Sequence, residues 1–295
     1  DGTPLSRFVD ENGKPLSLKQ LGELDTTFNG VPAGNLSKAS VTTDPFSDFE
    51  IGSKFHATSG TVNEYRNNII SHSSSLTGAA IRKSVLPSII DAKAGGTYTA
   101  STKIINCRID RGDGLTLIHE YGHHIDSTIG RSNIDGKGVR LFRSESDALF
   151  IKAFEDDRKA LNLHRTKLRN DVLEEVREEM ADLVTTTRVG ERTGKTYTSV
   201  KWTAKDKYYT QVMDIFDAMV QGHAYERMQF SGHGKAYYKN KGSRYSETFA
   251  QLFSLDGAPQ EVKDKVLKWF PKSEARFRQI MEEYIESEVN TYDGY

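Results

Sequence analysis

Cysteine is almost absent from this chain of 295 residues, because Cys107 is the only one. A single cysteine excludes an internal disulfide framework and leaves the redox compartment open. Long apolar runs are also absent: no stretch of about eighteen apolar residues occurs, and residues 1–30 are too polar to contain the apolar core of a signal peptide. We therefore expect a soluble protein without a membrane partner.

The chain has no excess of charge of either sign, since 40 Lys and Arg residues face 41 Asp and Glu residues. A balanced chain lacks the long-range field that attracts nucleic acid, so nucleic acid is not expected as a partner. The length allows one large domain or two smaller ones, each with a buried core. The chain begins at Asp1 rather than Met, as expected for a processed or secreted product or a segment of a longer protein.

Composition divides the chain near residue 54. Residues 1–54 are rich in Gly, Pro, Ser, Thr and Asp, with a short helical patch at Leu16–Leu24, and predict an N-terminal arm or small subdomain. From Phe55 onward the apolar periodicity strengthens, first at Val62–Ser71 and then at Leu76–Ile90. Residues 55–295 are therefore predicted to form one folded domain.

The most informative motif of the chain is HExxH, which spans His119 to His123. Apolar residues recur around it at three- and four-residue steps, which predicts a helix that follows the turn at residues 111–114 and ends at Gly130. Two histidines four residues apart lie on the same face of a helix, so both imidazoles can bind one metal ion. Glu120, beside the first histidine, can act as a general base toward a water molecule.

The segment Thr97–Ile109, directly before this helix, alternates β-branched, aromatic and polar residues and predicts a strand. An extended peptide can add to the edge of such a strand through main-chain hydrogen bonds. Its side chains Tyr98, Thr99 and Ser101 are therefore candidate substrate-binding residues. Cys107 in the same segment is interpreted as a small buried hydrophobic residue.

Residues 140–190 carry many charges at helical spacing, and Gly190–Trp202 predicts a turn or small hairpin, followed by a helix at Asp206–Met219. The region of about 140–205 is interpreted as a helical insertion that could cap a cleft or bind a partner. Four glutamates between residues 174 and 179 predict a solvated helix face rather than a metal site, because no histidine adjoins them.

A catalytic metal needs a third protein ligand and one open position. The extended motif HExxHxxGxxH is excluded, because Asp126 and Ile129 occupy its glycine and third-histidine positions. Glu247 is the best remaining candidate, since it lies in a predicted amphipathic helix with Gln251 four residues later. The residues alone leave a second interpretation open, in which Glu247 complements the dipole at a helix N-terminus.

The stretches HEYGHHID and YSETFAQLF together resemble the catalytic centre of the anthrax lethal factor family of zinc peptidases, which includes the Pro-Pro endopeptidases. The longer stretch GHGKAYYKNKGSRYSETFAQLFSL also resembles catalytic-like domains of phage minor head proteins. The resemblance implies a zincin-like fold in which His119, His123 and Glu247 bind one Zn²⁺ ion. It further implies that Glu120 activates water and that a tyrosine stabilises the oxyanion.

This chain departs from the family pattern at two positions. The family's tyrosine lies seven residues before the glutamate ligand, where this chain has Asn240, so the oxyanion role is assigned to Tyr238 and next to Tyr237. The family's second glutamate is replaced by Gln251, whose amide can still orient a ligand.

Three further polar residues are placed near the predicted site. Asp126 is predicted to hydrogen-bond a ligand imidazole, with a helix-surface charge as the alternative. His233 lies between two glycines close in sequence to the tyrosines, and either lines the cleft or is an exposed loop residue. His124 points about 100° away from His123 around the helix and is interpreted as structural.

The sequence therefore predicts an α+β, mainly helical protein with a small mixed sheet. The expected activity is that of a zinc-dependent endopeptidase with a peptide or protein substrate. The alternative is a structural or interaction protein of a phage virion or toxin assembly, with a structural or vestigial metal site. Glu120 argues against this alternative, because a structural zinc site has four protein ligands and needs no base.

Overall fold

The computed structural model describes residues 55–56, 61–85, 87–90, 95–108, 114–130, 142–161, 170–204, 207–222 and 233–287. The predicted N-terminal arm at residues 1–54 and most of the turn at 111–114 lie outside this part of the chain. Within it the protein is mainly helical with a small mixed sheet, so the predicted α+β class is confirmed. No described helix has the length and apolar character needed to cross a membrane.

The helices follow the apolar periodicity of the sequence, and some of them begin at ordinary capping signals. Thr61 and Ser74 form capping boxes at the first two helices, and Pro271 opens the last one. The described α-helices are α1 Val62–Ser71, α2 Ser75–Lys83, α3 Leu115–Thr128, α4 Arg143–Ser146, α5 Ala148–Ala160, α6 Asn170–Met180, α7 Tyr209–Met219, α8 Gly234–Tyr237, α9 Lys241–Asp256, α10 Gln260–Val266 and α11 Pro271–Glu286, with a 3₁₀ turn at Leu267–Trp269.

One sheet has four strands in the order β1-β2-β4-β3, with β1 Phe55–His56, β2 Ser88–Ile90, β3 Gly96–Thr99 and β4 Ile104–Cys107. β1, β2 and β4 are parallel, and β3 pairs with β4 in antiparallel register. The single strand predicted at Thr97–Ile109 is therefore wrong: the segment is a hairpin. Its turn includes Lys103 at a φ of 52°, a left-handed conformation that regular strands do not adopt.

The core forms around α9, whose residues from Arg244 to Asp256 are all buried. Phe249 packs edge-to-face against Phe150 of α5 at 5.8 Å and against Phe277 of α11 at 5.1 Å between ring centroids. α9 also packs against α3 and α7. α4 and α5, which lie in the region interpreted as a helical insertion, therefore pack against the core of the domain.

The second half of the predicted insertion forms a separate β-hairpin after α6. β5 Ala181–Val189 pairs in antiparallel register with β6 Thr196–Ala204, and residues 185–189 and 191–199 are exposed. The prediction of a small hairpin is confirmed, but residues 181–189, predicted to be helical, form its first strand. Three consecutive β-branched threonines from Thr185 favour the strand, and the side chain of Thr186 hydrogen-bonds Ser199 at 2.7 Å across it.

Candidate metal centre

The HExxH motif lies in α3, which starts after Gly114 at a φ of 83° and ends at Thr128, two residues before the predicted stop. His119 and His123 lie on one face of α3, with ring centroids 4.6 Å apart and Nε2 atoms 3.1 Å apart. Each residue is only 8% exposed. The helix thus directs two buried imidazole nitrogens to one point, as the four-residue spacing predicts.

Glu247 of α9 completes this cluster. Its Oε2 lies 3.3 Å from Nε2 of His119, and its Oε1 lies 3.3 Å from Nε2 of His123. Glu247 is the seventh residue of α9, whose N-terminus is capped by Asn240. It therefore lies too far from the helix N-terminus to complement the dipole, and the second interpretation of Glu247 is wrong.

A close helix crossing brings Glu247 to the histidines. A Cβ atom on Gly122 would lie 2.7 Å from the Cα and 3.0 Å from the carbonyl oxygen of Ala250. Only glycine allows α3 and α9 to approach this closely. Gly122 thus has a structural role within the motif, because it sets the distance between the two ligand-bearing helices.

The donor set of this cluster fits a metal ion. Zinc bonds of about 2.0–2.2 Å in tetrahedral geometry would separate neighbouring donor atoms by about 3.3–3.6 Å. The observed separations are 3.1–3.3 Å. The buried Oε2 of Glu247 also has no hydrogen-bond donor of suitable geometry. His119, His123 and Glu247 could therefore hold a metal ion.

The electrostatics of the three residues are strongly coupled. Burial raises the pKa of Glu247, but the adjacent imidazoles of His123 and His119 outweigh burial and hold it well below its usual range. Burial lowers the pKa of His123, but the charge and hydrogen bond of Glu247 raise it to about 9. The same balance raises the pKa of His119. A carboxylate that stays ionised between two imidazoles is a ready cation ligand.

Glu120 lies on a different side of α3, against β3. A Cβ atom on Gly96 would lie 2.7 Å from Oε1 of Glu120 and 2.6 Å from Cγ2 of Thr116. Burial raises the pKa of Glu120, which is 5% exposed. The sequence did not single out Gly96; the Gly-Gly pair at residues 95 and 96, directly before a strand, was the available signal of a close backbone approach.

The two candidate tyrosines have different environments. The hydroxyl of Tyr237 donates a hydrogen bond of 2.5 Å to Oε1 of Glu247, and the residue is 40% exposed. Tyr238 is buried, and its hydroxyl donates to Oδ1 of Asp214 at 2.7 Å. The hydroxyl of Tyr237, and not that of the preferred Tyr238, is therefore the one that contacts Glu247.

Asp214 of α7 is a buried junction that sequence reasoning missed. Its Oδ1 accepts hydrogen bonds from Tyr238 and, at 3.3 Å, from Nδ1 of His233, and its Oδ2 accepts one from Nε2 of Gln251 at 2.8 Å. Nδ1 of His233 also lies 3.9 Å from Glu247, so His233 lies beside the site and is at the same time an exposed residue. Gln251 bonds Asp214 rather than a histidine ligand. An aspartate within the apolar run VMDIF was the available signal for Asp214.

Asp126 does not form the hydrogen bond predicted for it. Its carboxylate accepts from the backbone N–H of Ser144 at 2.8 Å and from the Ser144 hydroxyl at 2.5 Å, so it joins α3 to α4. Burial raises the pKa of Asp126 to about 7. Asp126 is buried, so the alternative of a helix-surface charge is also wrong.

The remaining predicted residues lie at or near β3. Tyr98 directs its hydroxyl to Nδ1 of His124 at 3.2 Å, and Nε2 of His124 lies 2.6 Å from the carbonyl oxygen of Val85. His124 is thus a buried structural residue, as predicted, and Tyr98 packs on it. Thr99 and Ser101 are exposed. Cys107 is buried at the end of β4, as predicted.

Comparisons of the chain with protein-family models, with curated proteins and with solved structures found no match.

Proposed function

We propose that this protein is a zinc-dependent endopeptidase with a zincin-like catalytic domain. The observation that carries the proposal is the convergence of His119, His123 and Glu247 at 3.1–3.3 Å, with Glu120 on the next position of the same helix. Two imidazoles and one carboxylate favour Zn²⁺ over Ca²⁺ or Mg²⁺, which prefer oxygen donors only. Three ligands leave a fourth position of a tetrahedral ion open.

Zinc at such a site would lower the pKa of water and polarise the carbonyl of the substrate. Glu120 accepts the proton of the attacking water and then delivers it to the leaving amine. Tyr237 donates its hydroxyl hydrogen to the developing oxyanion, after exchanging its present acceptor on Glu247 for the substrate oxygen. Every proton transfer in this scheme therefore involves a side chain within the described site.

The position of β3 supports an extended substrate. β3 is the outer strand of the four-stranded sheet as far as the described residues show, and Gly96 contacts Glu120. A peptide that adds to this edge passes the general base in an extended conformation, and an edge strand accepts a chain that continues in both directions. This geometry favours cleavage within a chain over removal of terminal residues.

Glu120→Gln is the decisive variant, because glutamine has the size of glutamate but cannot accept the proton. We expect it to bind one equivalent of zinc and to lose peptide cleavage by at least about hundredfold. Glu247→Ala is the matched variant, and we expect it to lose both zinc and cleavage. Zinc content is measured by elemental analysis, and cleavage with a library of unstructured peptides.

Two results would contradict the proposal. Undiminished turnover by Glu120→Gln would show that Glu120 is not the general base. One bound zinc with no cleavage of any peptide by the unmodified protein, together with unfolding on zinc removal, would instead support the structural alternative of a virion or toxin assembly protein.

A further inference from the structure

Asp214 holds both aromatic rings that flank Tyr237. The ring of Tyr237 stacks on His233, at 4.3 Å between centroids and 26° between planes, and meets Tyr238 edge-to-face at 5.4 Å and 84°. His233 and Tyr238 each donate a hydrogen bond to the same oxygen of Asp214. Tyr237 itself forms no hydrogen bond with Asp214 among the described residues, so the side-chain contacts that join the two pass through these two neighbours.

The other carboxylate oxygen of Asp214 connects this aromatic cluster to α9, the helix that carries Glu247. It accepts the hydrogen bond of Gln251, which lies on α9 one turn after Glu247. The hydrogen bonds of His233 and Tyr238 make Asp214 a direct side-chain link from α7 to the segment at residues 233–238. Asp214 is 2% exposed, and a buried carboxylate with three donors is a rigid junction.

We infer that Asp214 is a positioning residue that holds Tyr237 against the candidate metal ligand Glu247. It acts through His233, Tyr238 and Gln251. The catalytic consequence of this inference rests on the proposed peptidase function, whereas the positional claim does not. Asp214 holds Tyr237 in place through the geometry of its hydrogen bonds, whereas its negative charge raises the pKa of the Tyr237 hydroxyl without positioning the ring. An asparagine can therefore replace it: Oδ1 still accepts from Tyr238 and His233, and the Gln251 amide, whose Nε2 now donates to Oδ2, turns over so that its presently unpartnered Oε1 accepts from the asparagine amide.

The positional claim is tested by amide hydrogen exchange of the metal-free protein, followed by mass spectrometry. Asp214→Ala should raise exchange at residues 233–240 by about tenfold or more, because local opening of this segment becomes easier. Asp214→Asn should exchange like the unmodified protein. Asp157→Ala removes a buried carboxylate that accepts from Ser273 far from the site, and it should leave residues 233–240 unchanged. If Asp214→Ala fails to fold, Tyr238→Phe, which removes one of these bonds, should raise the same exchange by about threefold.

The catalytic consequence is tested with a double-mutant cycle. Asp214→Ala should lower kcat by roughly tenfold or more with KM unchanged, since the hydroxyl of Tyr237 acts in the transition state. In a Tyr237→Phe background the same substitution should change kcat by less than about twofold, because its effect passes through the missing hydroxyl.

The outcomes separate the two claims. Unchanged exchange at residues 233–240 in both Asp214→Ala and Tyr238→Phe overturns the inference, whatever the peptidase assay gives. Asp214→Asn that behaves like Asp214→Ala also overturns it, because charge rather than geometry would then carry the effect. Faster exchange without any change of kcat in Tyr237→Phe supports the positional claim and refutes the role of Tyr237 in the proposed function.

Discussion

The two functional faces of α3 differ in what they contact and in how tightly they are held. One face presents His119 and His123 to α9, where the backbones of two helices cross through Gly122. The other face presents Glu120 and His124 to β3, where Gly96 approaches side-chain atoms rather than backbone. A larger side chain in place of Gly122 must therefore displace a helix, whereas one in place of Gly96 displaces mainly other side chains.

This difference assigns separate tasks to the two faces. The rigid crossing fixes the three side chains that could hold a metal ion, whose donor atoms tolerate only small changes of distance. The face toward β3 holds Glu120, the proposed general base, beside the edge where a substrate would add. Both faces rely on glycine, and substitutions at the two glycines should therefore impair metal binding and catalysis separately.

Gly96→Ala should have the largest effect, on catalysis alone. The new Cβ would lie 2.7 Å from Oε1 of Glu120, so the carboxylate must move while β3 keeps its place. A displacement of about 1 Å at a reacting group can cost on the order of a hundredfold in rate, which is the expected loss of kcat. Zinc affinity, measured by chelator competition, should not change.

Thr97→Ala is the control for this strand, since Thr97 is exposed and adjacent to Gly96 on the opposite face. We expect it to retain full activity. A Gly96→Ala protein that loses zinc together with activity would show that the two faces are not independent.

Gly122→Ala should have the next largest effect, on the zinc affinity of His119, His123 and Glu247. Its Cβ would meet the backbone of Ala250 at 2.7 Å and Cβ of Phe253 at 3.0 Å, so α9 must shift and carry Glu247 away from the imidazoles. We expect zinc affinity to fall roughly 10–100-fold, as when outer-shell support of ligands is lost. Stability should fall by about 1–3 kcal/mol, which is typical of overpacking.

Chelator competition and thermal unfolding of the metal-free protein measure these two losses. Preserved zinc affinity in a destabilised Gly122→Ala protein would mean that the helix crossing serves packing alone and does not set the geometry of the metal cluster.

The sequence predicted those parts of the site that depend on local periodicity. The spacing of HExxH predicted that His119 and His123 share a face, and the helix pattern around Glu247 predicted a side chain able to reach them. Both predictions hold because a helix of known period fixes the direction of each side chain. The role of Glu247 could not be assigned from the sequence around it, because the residue at which α9 begins decides between the two interpretations.

The parts that the sequence missed depend on tertiary contacts. Tyr237 is the last residue of α8 and Tyr238 follows it directly, so only tertiary packing decides which hydroxyl meets Glu247. Asp214 lies in another helix altogether, and no local pattern connects it to His233. Residues 181–189 were predicted to be helical because they follow a charged helix directly, whereas pairing with β6 decides their structure.

Tyr98→Phe should have the smallest effect. It tests whether Tyr98 has a structural role on the face of α3 where Glu120 has the proposed catalytic one. The hydroxyl of Tyr98 bonds His124 at 3.2 Å, so its loss should cost about 1 kcal/mol of stability through this hydrogen bond. For a protein of this size, that corresponds to a decrease in Tm of about 2–4 °C. Because the ring and hydroxyl of Tyr98 contact His124, whereas Gly96 is the residue that approaches Glu120, kcat and KM should stay within about twofold of the unmodified protein. A change in KM or in the preferred peptide would instead mean that Tyr98 contacts substrate. Tyr98 could then not be separated, as a structural residue, from Gly96 and its contact with Glu120.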